Sequence, residues 1–93
     1  MRRRLGLREE VTYEIIFEPH ALDAATRFLE EDPKGLSATL DAIDELAHNP
    51  RPVELRFAYG VGIRRLRVGD YRVLYVIDDE VIHILVTHLG RTA

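Results

Sequence analysis

The stretch Arg64-Arg65-Leu66-Arg67-Val68-Gly69-Asp70-Tyr71-Arg72 holds the side chains best suited to chemistry. Six of the 13 basic residues fall between Arg51 and Arg72, and all six are arginine. A guanidinium is planar, stays charged and presents a fixed fork of donors, so clustered arginines suit bidentate capture of phosphate or carboxylate. The plainer reading is that they pair with the acidic part of the chain, since the −3 net charge divides into +4 over residues 1–8, −9 over 9–50, +4 over 51–72 and −2 over 73–93.

Gly69-Asp70 reads as a two-residue hairpin loop, and such a loop fixes register. Val68 then faces Tyr71, Arg67 faces Arg72, Leu66 faces Val73, Arg65 faces Leu74 and Arg64 faces Tyr75. One face carries Leu66, Val68, Tyr71, Val73, Tyr75 and Ile77, with Arg64 at its margin; the other carries Arg65, Arg67 and Arg72. Like charges directly opposite on a sheet repel, so Arg67 against Arg72 calls for acidic side chains or a bound anion. The functional reading is a basic sheet face that receives phosphates. The structural reading is a cross-strand network with carboxylates.

Other chemistries lack their residues. His20, His48, His83 and His88 are scattered over different elements and Cys is absent, so no metal site is expected. No Gly-x-Gly-x-x-Gly, Walker or nucleophile-elbow pattern occurs, and no cofactor is expected.

The elements that must position the arginines follow from periodicity. Tyr13, Ile15 and Phe17 alternate as a short strand. Pro19 opens a helix over about 19–31, with Leu22, Ala25, Phe28 and Leu29 at helical spacing, until Asp32-Pro33 interrupts. Asp32 caps a second helix whose apolar stripe is Leu36, Leu40, Ile43, Leu46 and Ala47, ending at His48-Asn49-Pro50. Arg51–Gly62 reads as a loop. Strands follow at Ile63–Val68, Tyr71–Ile77 and Val81–His88, the last two joined by a turn at Asp78-Asp79-Glu80. The predicted fold is α+β: one small β-αα-βββ domain, an antiparallel sheet with a helical hairpin packed on one face.

At 93 residues the chain has room for one core, burying roughly 60–65% of its extended surface. Its 46% hydrophobic and 31% charged content excludes wholesale disorder and coiled coil. Residues 1–11 read as a flexible tail and 12–93 as the domain. No apolar run reaches the ~18 residues of a membrane span, and Met1–Leu7 lacks a secretory signal, so a cytoplasmic location without a membrane partner is expected.

The stretch Arg65–Tyr75 resembles the central hairpin of RelE/ParE-type toxins of bacterial type II toxin–antitoxin systems. Tyr13–Phe17 followed by a helical hairpin ending in Asn49-Pro50, and the strand through Thr87-His88 to Gly90-Arg91, extend the resemblance over residues 12–93. The RelE-like subgroup implies a ribosome-dependent, metal-free mRNA endoribonuclease that blocks translation and is held by a cognate antitoxin. On that resemblance Arg65, Arg67 and Arg64 bind RNA, while Arg72, Arg91 and His88 are catalytic. Arginine does not act as a base at neutral pH, which leaves His88 for proton transfer. The chain ends without the aromatic segment of that subgroup, and from Thr12 onward its charge is −5, namely −3 less the +2 of residues 1–11. Two alternatives follow: a ParE-like inhibitor of DNA gyrase without nuclease activity, or an attenuated toxin acting mainly through its antitoxin.

Overall fold

Asp32-Pro33 organises the helical half. In the computed structural model, which describes residues 11–51 and 62–92, helix α1 spans Pro19–Glu31 and α2 spans Pro33–Leu46, each opening on proline. Proline fits the first helical position because its ring presets φ and the missing N–H would have had no intrahelical acceptor. The residue before proline avoids the helical region, and Asp32, at φ −149°, closes α1 by donating its N–H to Phe28 O at 2.7 Å. Its carboxylate then accepts the Gly35 N–H at 3.3 Å, capping α2. One residue thus ends one helix and starts the next. The expected tail over residues 1–10 and most of the expected loop, residues 52–61, lie outside the described residues.

Among the described residues four strands form the sheet, β1 (Glu14–Phe17), β2 (Ile63–Val68), β3 (Tyr71–Asp78) and β4 (His83–Arg91), in the spatial order β1-β4-β3-β2. The β2–β3 hairpin has the predicted register, with Arg67 opposite Arg72 and Val68 opposite Tyr71. The sheet is mixed rather than antiparallel throughout, because β1 pairs parallel to β4, from Glu14–His83 to Phe17–Val86. The helical hairpin and the β2–β3 hairpin intervene between the two strands, a crossover long enough for parallel pairing, which a tight turn would not allow.

Strand β4 begins two residues later than its sequence pattern implied and continues to Arg91. The β-branched pair Val81-Ile82 mimics a strand start. Instead, Asp78 Oδ1 accepts the N–H groups of Glu80 (3.0 Å) and Val81 (3.3 Å), extending the turn to Ile82, which sits at φ 58°. Farther along, the ladder pairs Leu74 with His88 but Tyr75 with Val86, so Thr87 is a bulged residue. The bulge changes the phase of alternation. Val86 and Leu89 both face the helices, and His88 faces away.

The covered face presents Tyr71, Val73, Tyr75, Ile84, Val86 and Leu89 to Leu36, Ile43 and Leu46 of α2 and to Ala21, Ala24 and Ala25 of α1. Each fully buried aliphatic side chain contributes about 1.5–3 kcal/mol. Buried Thr39 donates its hydroxyl to Gly35 O at 2.9 Å, so it enters the core with its hydrogen bond satisfied. Of the expected α1 stripe, Ala25 is buried and Phe28 packs against the core, but Leu22 and Leu29 remain 53% and 45% exposed, and Ala21 and Ala24 fill the buried positions instead. Small residues let the helix approach the sheet closely, which turns the bulkier leucines outward beside a shallow apolar groove shared with Phe17, Leu36 and Leu40.

Candidate functional site

The sheet face away from the helices is ordered in rows, since residues paired across strands share a face. One row is Arg67, Arg72 and Gly90; the next is Arg65, Leu74 and His88. Three of the predicted side chains, Arg65, Arg67 and Arg72, therefore lie on one end of one face, with His88 in their second row. No acidic residue shares these rows, and among the described residues Arg67 and Arg72 make no ion pair. The pairing of like charges expected from the sequence is present, and both side chains are exposed, where water and mobile ions screen them.

Gly90 completes the row of two arginines. Nothing lies within 4 Å of where a β-carbon would stand there, so the surface is open above the backbone. A depression of about 280 Å³ opens at this point, lined by Arg72, Leu74, His88, Leu89 and Gly90. It combines a guanidinium, an imidazole and an apolar wall, a set able to hold an anionic group and exchange a proton beside it. His88 is itself held: its Nδ1 lies 3.5 Å from Thr87 Oγ1, and its ring meets that of His20 edge-on, with centroids 4.7 Å apart. Among the described residues no group of three or more His, Asp or Glu is placed to hold a metal ion.

Two predicted residues do not join this set. Arg91 pairs with Tyr71, on the helix-covered side of the sheet. Its guanidinium lies over the Tyr71 ring, 5.6 Å from the centroid, and 3.4 Å from Asp32. Tyr71 is buried and donates its hydroxyl to Asp32 at 3.1 Å; burial first, and the carboxylate second, push the pKa of that phenol up. Arg91, Tyr71 and Asp32 thus fasten the helical turn to the sheet. Arg64 pairs with Tyr75 and also lies on the covered side, at its margin, where it offsets part of the rise that burial imposes on the Tyr75 phenol. Tyr75 donates to Pro50 O at 2.9 Å.

His20 and Thr87 were missed by sequence reasoning. Pro19-His20 reads only as a helix opening, and no local pattern announces the bulge that turns Thr87 toward Leu74. At the opposite end of the same face, Glu14, His83 and Asp78 form a row, with His83 Nε2 3.3 Å from the Glu14 carboxylate. The open face is basic at one end and acidic at the other, with half-buried Ile16, Ile63, Val76 and Leu85 between.

A family model described as the ParE toxin of the type II toxin–antitoxin system parDE matches residues 15–92. No curated protein matches the chain in sequence. Among solved structures, the isolated RelE toxin of E. coli superposes with a TM-score of 0.75 at 17% identity, over 87% of this chain and 85% of that one. The RelBE2 toxin–antitoxin complex of Mycobacterium tuberculosis gives 0.71 at 25% identity, over 87% and 99%. The YoeB dimer of Staphylococcus aureus gives 0.69 at 19% identity, over 88% and 99%.

Proposed function

The chain belongs to the ParE toxin family of type II toxin–antitoxin systems, and we propose that it acts there as a ribosome-dependent, metal-free mRNA endoribonuclease that blocks translation. The observation that carries this reading is the open face itself: Arg65, Arg67 and Arg72 lie in two adjacent rows with His88, and two of these side chains, Arg72 and His88, line a depression of about 280 Å³. Attack of a ribose 2′-hydroxyl on the neighbouring phosphate forms one O–P bond, breaks the bond to the 5′ oxygen and passes through a pentavalent species of increased negative charge. Arg72, inside the depression, and Arg67, paired with it, supply fixed positive charge where that negative charge grows; such a donor is worth roughly 3–4 kcal/mol. His88 takes the 2′-hydroxyl proton. Arg65 lies in the row of His88, where it meets the adjoining backbone.

Complexes of similar fold include RelE with RelB from Pyrococcus horikoshii and YoeB with YefM from Staphylococcus aureus. A cognate antitoxin is accordingly the partner proposed for this chain, with its acidic groups against the arginine rows.

The family model favours a second reading, because its description is of ParE rather than RelE. In that reading the arginine face binds and inhibits DNA gyrase without cutting RNA. Inducing the chain in a bacterial host while mapping 5′ ends of cellular mRNA and scoring DNA breaks separates the two. Growth arrest with new mRNA ends inside translated codons, relieved by the antitoxin, supports the nuclease. Arrest with DNA breaks and intact mRNA overturns it in favour of gyrase.

A further inference from the structure

Thr87 has a task set by its place in the ladder. As the bulged residue it faces no partner on β3, and its hydroxyl donates to the Leu74 carbonyl at 3.3 Å. A carbonyl oxygen only accepts, so the single hydroxyl proton of Thr87 is committed there. What Oγ1 still offers is lone pairs, and His88 Nδ1 lies 3.5 Å from it. These two atoms form a hydrogen bond only if Nδ1 carries the proton. A neutral imidazole has one N–H, and the partner of one ring nitrogen decides the state of the other. The His20 ring packs edge-on against that of His88, with centroids 4.7 Å apart and planes inclined at 73°.

We propose that Thr87 is a positioning residue: it holds neutral His88 as the Nδ1–H tautomer and leaves Nε2 as the basic nitrogen of the depression lined by Arg72, Leu74 and Gly90. The backbone bulge and one hydroxyl do here what a carboxylate or carbonyl does for histidines elsewhere. In its catalytic consequence the inference rests on the nuclease reading. Nε2 takes the 2′-hydroxyl proton as the new O–P bond forms, the 5′ oxygen departs and takes a proton from water, and the imidazolium returns its own to solvent.

The test uses ¹⁵N ring shifts of His88 in the full chain, recorded above the imidazole titration range, for the wild type, Thr87→Val and Thr87→Ser. Valine keeps the shape of threonine and removes the acceptor; serine keeps the acceptor. Wild type and Thr87→Ser are expected to have a protonated Nδ1 and a bare Nε2, and Thr87→Val to revert toward the Nε2–H form that free histidine prefers. Ribosome-dependent mRNA cleavage by Thr87→Val should fall by about tenfold or more and return in Thr87→Ser. A wild type with Nε2 protonated overturns the assignment, as does a Thr87→Val variant that keeps the wild-type tautomer or loses it and still cuts at the wild-type rate. Failure of all three proteins to cut mRNA overturns the nuclease reading instead, and the ring shifts still decide the tautomer.

Discussion

Replacing Arg72 by glutamine should stabilise the fold while abolishing activity, and the opposed signs identify a residue kept for its function. Arg67 and Arg72 face each other with β-carbons about 4.5–5.5 Å apart, and their exposed guanidinium groups can splay to roughly 7 Å. In water that separation of like charges costs about 0.6 kcal/mol, reduced to roughly 0.3 kcal/mol by 0.15 M salt. Glutamine preserves much of the aliphatic stem and removes the charge, so the gain on substitution is of that size. For a domain of this length it raises Tm by about 1–2 °C at physiological salt and about 2–5 °C at low salt. Against it stands the loss of a donor worth roughly 3–4 kcal/mol at the reacting phosphate, a several-hundred-fold fall in cleavage. Thermal melts at two salt concentrations, with cleavage of ribosome-bound mRNA on the same preparations, read both quantities. A Tm lowered by more than about 4 °C would show Arg72 to be a structural partner, and full toxicity of the variant would falsify its place in the site.

Four further outcomes are expected. Leu36→Ala, at a fully buried position, should cost about 2–5 kcal/mol in denaturant unfolding, and Leu40→Ala, only half-buried, clearly less. Asp32→Ala removes the α2 cap together with the partner of Tyr71 and Arg91 and should cost about 1–3 kcal/mol by the same measurement. Arg91→Gln should lower Tm by a few degrees, as loss of a partly exposed ion pair worth about 0.5–1 kcal/mol does, and leave mRNA cleavage within a few-fold of wild type. Asp79 accepts from Tyr13 at 2.6 Å and from Arg51 at 2.8 Å, and these bonds, that of Tyr13 foremost, hold its carboxyl below the ordinary range. Because the folded pKa is the lower one, the stabilisation is complete above the usual carboxylate value and disappears as pH falls through the folded value. Asp79→Asn should therefore flatten the acid limb of a Tm-against-pH curve.

The hairpin was legible because a two-residue loop leaves one register, and once Arg67 faces Arg72 the alternation of the strands assigns every neighbour to a face. The helix boundaries were legible because Asp32-Pro33 carries local instructions for ending and starting a helix. The bulge at Thr87 was not: it answers to what β3 presents across the ladder, and nothing in Val86-Thr87-His88-Leu89 records that. Strict alternation would have put His88 on the face of Val86, and only the extra residue brings it round to Arg72. On α1, Ala25 and Phe28 were read correctly, but Leu22 and Leu29 were misread for a related reason. Hydrophobicity ranks Leu22 above Ala21, whereas the distance between helix and sheet selects the smaller side chain. Arg91 was assigned by likeness alone, and its pairing with Tyr71 takes it to Asp32.

The order β1-β4-β3-β2 has a consequence for synthesis. The first strand to leave the ribosome has no neighbour in the sheet until the last has emerged, because β4 separates it from everything else. The helical hairpin can form early from local contacts, but the sheet it must cover closes only with residues 83–91, and long-range closure of this kind is slow. Arg72 and His88 meet only at that step. On a nascent chain the arginine rows can therefore form with the β2–β3 hairpin, whereas His88 and Gly90 join them only after β4 has emerged.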